Sequence, residues 1–475
     1  MVQKAIIQIL TLVLVLSASS LIGIQTVKAN IMPVENSWAT KAPLSVARSG
    51  LGVAAVNGKI YAIGGITVPS VLDVNAISGL PVSSEPQLVG TNEEYDPSTN
   101  TWSFKTQMPI PRADFATAVF QNKIYCIGGV TDSATVSVNE VYDPENDNWV
   151  TKASMPASEE GLQADVLNGK IYVMGGSSNY VYNPTTDNWT TMPPLPNILS
   201  GLLSSCVLDN EIYVVSSQST QIFNPENNSW TIGSQPPASM AQPIAVATSG
   251  IEAPARIYVF DESSLEVYDP QTNSWIVGST LPTVLTNPGP DVGRVVSDHE
   301  SYGVVVLNDI IYVIGGETVT VSTEYVNSTF YPENVSELAM NLKYIPFGYG
   351  TIPPEISIVF PTNETSSSNN ILLNFVINKP VSWIGYSLDG QQNVTLTGNS
   401  TIANMPNGLH SITVYANDTY GNFGASKTIA FTVETPGIET SSTIEVFATI
   451  AVSIAVVCVV ASLLIYRKKC KRLIL

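Results

Sequence analysis

The sequence predicts an all-β protein: a six-bladed β-propeller, then a β-sandwich, then one transmembrane helix. Three observations predict it. A strand containing Ile-Tyr recurs six times, and in five copies a proline follows, with tryptophan five residues after it. Beyond residue 350 the chain changes to alternating apolar runs separated by turn residues. Near its end lies a 21-residue run, 446–466, without a charge. Self-similarity at such a period means stacked supersecondary units, each too small to bury its apolar face alone.

The repeats take the elements in order. Ile60-Tyr61 leads to Gly64-Gly65, Tyr95-Asp96-Pro97 and Trp102; Ile124-Tyr125 leads to Gly128-Gly129, Tyr142-Asp143-Pro144 and Trp149. Ile171-Tyr172 leads to Gly175-Gly176, Tyr182-Asn183-Pro184 and Trp189. The copies from Ile212-Tyr213 to Trp230 and from Ile257-Tyr258 to Trp275 lack the glycine pair. The sixth, Ile311-Tyr312 with Gly315-Gly316, carries Phe330-Tyr331-Pro332 and no tryptophan after it. Asn57-Gly58 and Asn168-Gly169 are hairpin turns, because both central positions of a type I′ turn need positive φ. Asn122, Asp209-Asn210 and Asn308-Asp309 are weaker versions of the same device. Four short strands per unit make a blade, glycines let inner strands approach, and Tyr and Trp fill the space between blades. The missing sixth tryptophan is Trp38, ahead of the first core. The N-terminal strand is therefore expected to complete the sixth blade and remove an open edge. The propeller spans 34–345.

The glycine pairs, the spaced Tyr and Trp, and Pro111-Arg112-Ala113-Asp114-Phe115 resemble kelch repeats. That resemblance implies the propeller fold. It leaves function open, since kelch propellers include enzymes, actin-binding proteins, substrate adaptors and surface proteins. Alternating runs at 356–359, 371–376, 384–388, 412–415 and 428–433, with turns at Asp389-Gly390 and Asn407-Gly408, suit a sandwich over 352–434. The stretches 383–390 and 414–418 resemble Ig-like modules of archaeal surface proteins, so the sandwich is expected to be an Ig-like stalk. No cysteine pair spans it. Residues 435–443 read as a linker.

The ends suggest a membrane address. Residues 1–29, with Lys4, an apolar run and Val27-Lys28-Ala29, have the layout of a secretory signal peptide. The apolar run would span about 30 Å as a helix, assigned to 444–466. Arg467, Lys468, Lys469, Lys471 and Arg472 follow in a basic tail, 467–475, which places the tail inside and the rest outside. The order of parts is similar to that of archaeal cell-surface kelch proteins. The expected location is therefore the cell membrane, single-pass type I, with propeller and sandwich extracellular. Sequons stand at Asn188, Asn227, Asn327, Asn334, Asn363, Asn393, Asn399 and Asn417 and mark a possible glycoprotein. Cys126 and Cys206 fall in strands of different repeats and read as buried thiols; Cys458 and Cys470 lie near the C-terminal end.

The net charge of −19 argues against nucleic acid as a partner. Catalytic constellations are scarce. The copper site of galactose oxidase, a catalytic kelch propeller, needs two histidines and two tyrosines, and this chain has two histidines, of which only His299 lies in the propeller. Sialidase Asp-box turns, a His-based metal cluster, a Gly-x-Ser-x-Gly elbow and a phosphate loop do not occur. Glu159-Glu160 is a carboxylate pair, but adjacent residues usually point apart. No catalytic residue, metal or cofactor is assigned.

Strand parity leaves a recognition surface. Turns between strands one and two and between three and four are short; the loops and links on the opposite face, such as 66–91 and 277–300, are long. Variable loops on a rigid scaffold are where binding resides. Twelve residues before each Ile-Tyr isoleucine stand Arg48, Arg112, Glu159, Ser200 and His299, the candidate ligand-binding ring. Two readings are open: a ligand seat, or repeat residues in which Arg48 and Arg112 pair with backbone and neighbouring acids. The expected function is non-catalytic cell-surface recognition or adhesion, binding a protein, glycan or envelope component on the long-loop face. A structural envelope component and a membrane-anchored carbohydrate-active enzyme are the alternatives.

Overall fold

A computed structural model describes residues 33–68, 85–175, 179–196, 203–237, 240–262, 264–282, 297–320, 334–436 and 450–462. The chain divides into two compact units, one formed by 1–353 with 419–422 and one by 354–418 with 423–475.

The first unit holds six four-stranded antiparallel sheets among the described residues. The first sheet runs Gly52–Val56, Lys59–Ile63, Asn92–Asp96 and Thr101–Lys105, and the next begins at Ala116–Phe120. The others begin at Gln163–Leu167, Leu203–Leu208, Ile244–Ala247 and Gly303–Leu307. These six innermost strands neighbour one another in a closed ring, giving a propeller-like arrangement. Five of the six inner hairpins turn through two residues of positive φ, including Asn57-Gly58 and Asn168-Gly169. Only such residues let a two-residue turn follow the right-handed twist of its strands. The fifth sheet instead joins its first two strands through the longer segment 248–256.

The sixth sheet closes as chain ends meet. Ser37–Thr40 pairs with Asn341–Ile345, placing Trp38 opposite Tyr344. The tyrosine of the sixth repeat is therefore Tyr344, not Tyr331, which lies outside the described residues. Trp102 packs on Tyr95 with ring centroids 5.0 Å apart, and Trp38 packs on Tyr344 at 4.8 Å. Tyr95, Tyr142, Tyr182 and Tyr344 are all fully buried.

The glycine pairs seat one blade against the next. Gly65 N–H donates to the Arg112 carbonyl at 3.0 Å, Gly129 to Glu159 at 2.9 Å, and Gly316 to Arg48 at 2.8 Å. Gly64 has φ +63°, and a Cβ there would stand 2.7 Å from the Arg112 carbonyl oxygen. No side chain fits that approach, so the pair is required for docking. Gly175 has φ +139°, and Gly176 lies outside the described residues. Cys126 and Cys206 are free and buried.

The second unit corrects the expectation of an Ig-like sandwich. It contains a three-stranded sheet, Ile356–Phe360, Ile371–Ile377 and Ser400–Ile402, and a six-stranded sheet built on Gly408–Asp418. The larger sheet is mixed, since Thr365–Ser366 runs parallel to Ile429–Val433. Leu373, Ile412, Val414 and Phe431 fill the core. No clear Ig-like sandwich results. Alternation tells which side of a strand is buried, but not which strands pair, and pairing decides the fold.

The expected transmembrane helix is also corrected. The one helix among the described residues covers 450–462, which rises about 20 Å against the about 30 Å of a hydrocarbon core. No helix among the described residues is long and apolar enough to cross a membrane. The expected single-pass type I membrane location is corrected with it, since that location rested on a spanning helix that the described residues do not contain. The signal segment 1–29 and the basic tail 467–475 lie outside the described residues. Asn188, Asn227, Asn363, Asn393 and Asn399 are exposed, whereas Asn417 is half-buried and paired to Trp383 and Phe423.

Candidate functional site

The segments leading into the innermost strands build the mouth of the propeller axis. Four of them turn through a residue in the left-handed region: Ser301 (φ +54°), Gly50 (+59°), Asp114 (+53°) and Gly161 (+64°). A string of backbone hydrogen bonds joins them across four blades. Gly50 N–H donates to the Ser301 carbonyl at 2.9 Å, Asp114 to Gly50 at 3.0 Å, and Gly161 to Asp114 at 3.0 Å. Glycine, aspartate and serine tolerate this conformation better than bulky residues do.

Inside this collar is a cavity of about 410 Å³ whose lining includes Asp114, Glu160, Gln163, Gln242, Glu262 and Tyr302. A deeper cavity of about 350 Å³ shares Leu51, Phe115, Leu162, Gln163, Ile244 and Tyr302 with it and reaches Thr117, Asp165 and Ser205. No lysine, arginine or histidine lines either cavity among the described residues.

The mouth is electrostatically negative. Burial pushes the Asp114 carboxyl up to about 6, and the nearby Glu160 and Glu317 carboxylates add to the effect. Glu317 accepts a hydrogen bond from Ser301 Oγ at 3.2 Å. Deeper in, Asp165 is 8 % exposed, and burial raises its carboxyl to about 7. The Ser205 hydroxyl donates to Asp165 Oδ2, which offsets part of that rise. Ser204 Oγ accepts from Ala245 N–H at 2.8 Å, so the inner strands are also tied by small polar groups.

None of Arg48, Arg112, Glu159, Ser200 and His299, the ring expected from the sequence, is among the described lining of either cavity. Arg48 is fully buried and spends every N–H within its own blade. Nη1 donates to the Gly64 and Thr91 carbonyls at 2.8 and 2.9 Å, Nη2 to Ala62 at 3.3 Å and to Glu93 at 3.0 Å, and Nε to Val46 at 3.3 Å. Arg112 repeats the pattern with Gly128, Ile110, Cys126 and Glu140, and lies 5.3 Å from the Phe115 ring centroid. Glu159 contributes its carbonyl to Gly129. His299 sits in the strand Ser297–Glu300, and Ser200 lies outside the described residues. Two positions onward from Arg48, Arg112, Glu159 and His299 come the collar residues themselves. A two-residue offset separates the buried Arg48 and Arg112 from the collar, and the residue type at the left-handed turn changes from blade to blade.

Residues 47–109 and 111–156 match the Kelch motif, and residues 161–196 match a second Kelch motif description. The chain carries kelch repeats. Among curated proteins, the influenza virus NS1A-binding protein homolog of Mus musculus is 38% identical over 87 residues, 18% of this chain and 11% of that protein. An F-box/kelch-repeat protein of Arabidopsis thaliana is 35% identical over 94 residues, 20% of this chain and 21% of that protein. The kelch chain thus spans between about a tenth and a fifth of the length of these relatives. The solved structure of YjhT covers 63% of this chain and 100% of its own, at 12% identity and a TM-score of 0.44. Kelch-repeat proteins generally mediate protein–protein interaction.

Proposed function

We propose that this kelch propeller is a non-catalytic recognition module that binds a protein partner at the mouth of its axis. The observation that carries the reading is the convergence of the Asp114 and Glu160 carboxylates on one cavity whose described lining, which also includes Glu262, holds no lysine, arginine or histidine. Such a mouth favours a partner presenting lysine or arginine, and the chain's net charge of −19 steers it in the same sense. The kelch relatives support a protein as the partner class. Among the described residues no group of three or more His, Cys, Asp or Glu side chains is placed to hold a metal ion.

Selection from a random peptide library on the full chain tests the reading. Basic peptides should be enriched on the wild type and lost on the triple variant Asp114→Asn/Glu160→Gln/Glu262→Gln, with circular dichroism unchanged. Selected peptides of unbiased charge, or binding that survives in the triple variant, would refute it.

A further inference from the structure

We propose that the axial cavity receives one cationic side-chain terminus, a guanidinium or ammonium group, from the bound partner, with Asp165 as its buried counter-charge. The proposal rests on the reading of the propeller as a protein-binding module and deepens it by naming the group that is recognised.

Three observations converge on this cavity. The first is continuity: six side chains are shared between the mouth and the deeper space, so a group entering past Asp114 and Glu160 has Asp165 within the same axial path. The second is the state of Asp165. Its strand, Gln163–Leu167, is innermost in the third sheet, and its side chain lines the deep cavity rather than the packed seam between blades. Oδ2 is held by Ser205, while Oδ1 has no hydrogen-bond donor among the described residues. A carboxylate nine-tenths buried without a full set of donors is costly to keep unless something else supplies them. The third is the lack of any described cation in the lining, whereas two buried carboxylates of the repeats each have one: Glu93 has Arg48 and Glu140 has Arg112.

The chemistry selects the ligand. A neutral group would leave Asp165 unpaired, and an anion would meet carboxylates at both depths. A guanidinium or ammonium group supplies donors to Oδ1 and the compensating charge together. The mouth carboxylates then act on approach, and Asp165 acts on residence, the usual division between rim and buried charges.

The test uses the full chain and three small probes: Nα-acetyl-arginine amide, Nα-acetyl-lysine amide and the neutral isostere Nα-acetyl-citrulline amide, titrated by calorimetry. The two cationic probes should bind saturably, the citrulline probe should not, and Asp165→Asn should weaken the cationic probes about tenfold or more. Asp165→Asn keeps the side-chain shape and removes a buried charge, so loss of fold is not the expected cause; its melting curve confirms this. Equal binding of the citrulline probe, equal affinity in Asp165→Asn, or no binding of either cationic probe would overturn the proposal. If the library peptides still require Asp114 and Glu160 while Asp165→Asn binds them as the wild type does, partner recognition at the mouth stands and insertion fails. If the cationic probes bind through Asp165 but no peptide is selected, protein recognition fails and a free cationic metabolite becomes the ligand class.

Discussion

Trp102 Nε1 donates to the carbonyl of Ala42 at 2.8 Å, 60 residues earlier in the chain. The same Ala42 donates its N–H to Asn100 Oδ1 at 3.0 Å, and Asn100 also accepts from the Tyr95 hydroxyl at 2.7 Å. One residue ahead of each blade is thus gripped through both of its backbone groups by that blade's outer turn. Asp147 and Trp149 hold Thr106, Asp187 and Trp189 hold Ala153, and Asn273 and Trp275 hold Ser234. Asn36 and Trp38 hold Ser279 and carry the pattern across the closure. The fourth blade breaks it: Phe223 stands where the tyrosine would be, and Trp230 Nε1 has no partner among the described residues.

Breaking one clasp should therefore loosen the blade junction it spans. Asn100→Gly keeps the left-handed backbone and deletes the acceptor, and should cost about 1–3 kcal/mol. Phe223→Tyr adds a hydroxyl facing Asn228 and should gain up to about 1 kcal/mol. Urea midpoints followed by tryptophan fluorescence check both, and an unchanged midpoint for Asn100→Gly would show that the clasp is incidental to stability.

The buried ion pairs and their orphan counterpart should respond in opposite directions. Arg48→Met strands Glu93, also buried, and should cost about 3–5 kcal/mol. Glu266 occupies the equivalent place in the fifth blade, two residues before Tyr268, is 6 % exposed, and its Oε2 has no partner among the described residues. Burial raises its carboxyl, so the folded state holds the proton more tightly than the unfolded chain does, and the ionised form weighs against folding as pH rises. Glu266→Gln should raise the melting temperature at pH 8 and leave it nearly unchanged at pH 4. A fall at pH 8 would mean that Glu266 ionises with a partner in the folded chain.

Asp165 predicts a second pH dependence. Its folded value of about 7 lies above the about 3.9 of an unfolded aspartate, so the native state binds more protons between those values. Stability contributed by the protonated form is fully present below about pH 4 and is lost as pH rises through about 7. The groups around it do not reverse this: Ser205 is neutral, and burial, with the Asp165 charge, pushes the Cys206 thiol up so that it stays neutral. The difference in unfolding free energy between Asp165→Asn and wild type should grow from pH 4 to pH 8 and level off above, read from paired denaturation curves. A difference independent of pH would place Asp165 in an environment that already pays for its charge.

The repeat was readable because its requirements are local. Asn57-Gly58 must turn a hairpin whatever surrounds it, Trp102 must follow Pro97 to reach Ala42 ahead of its own blade, and Gly64-Gly65 must lie where a carbonyl approaches. The site was less readable. Spacing from Ile60 and Ile124 found Arg48 and Arg112, which are the most regular polar residues of the repeat because they are tied to the repeat's own strands. Asp114 and Gly50, which form the collar, differ from blade to blade and carry no period.

Legible in the chain alone were the number of repeats, the hairpin turns, the closing role of Trp38 and the negative charge, all of which follow from residue type and short-range spacing. Tertiary structure alone decided that Tyr344 stands opposite Trp38 and that strands beyond residue 350 pair into a mixed sheet. It also decided that Asp114 and Asp165, 51 positions apart, line two adjoining cavities that share six residues. The physical reason is common to all of these: turns and periodicities are energies of neighbouring residues, whereas pairing partners, enclosed space and the pull on a buried carboxylate exist only once distant strands have met.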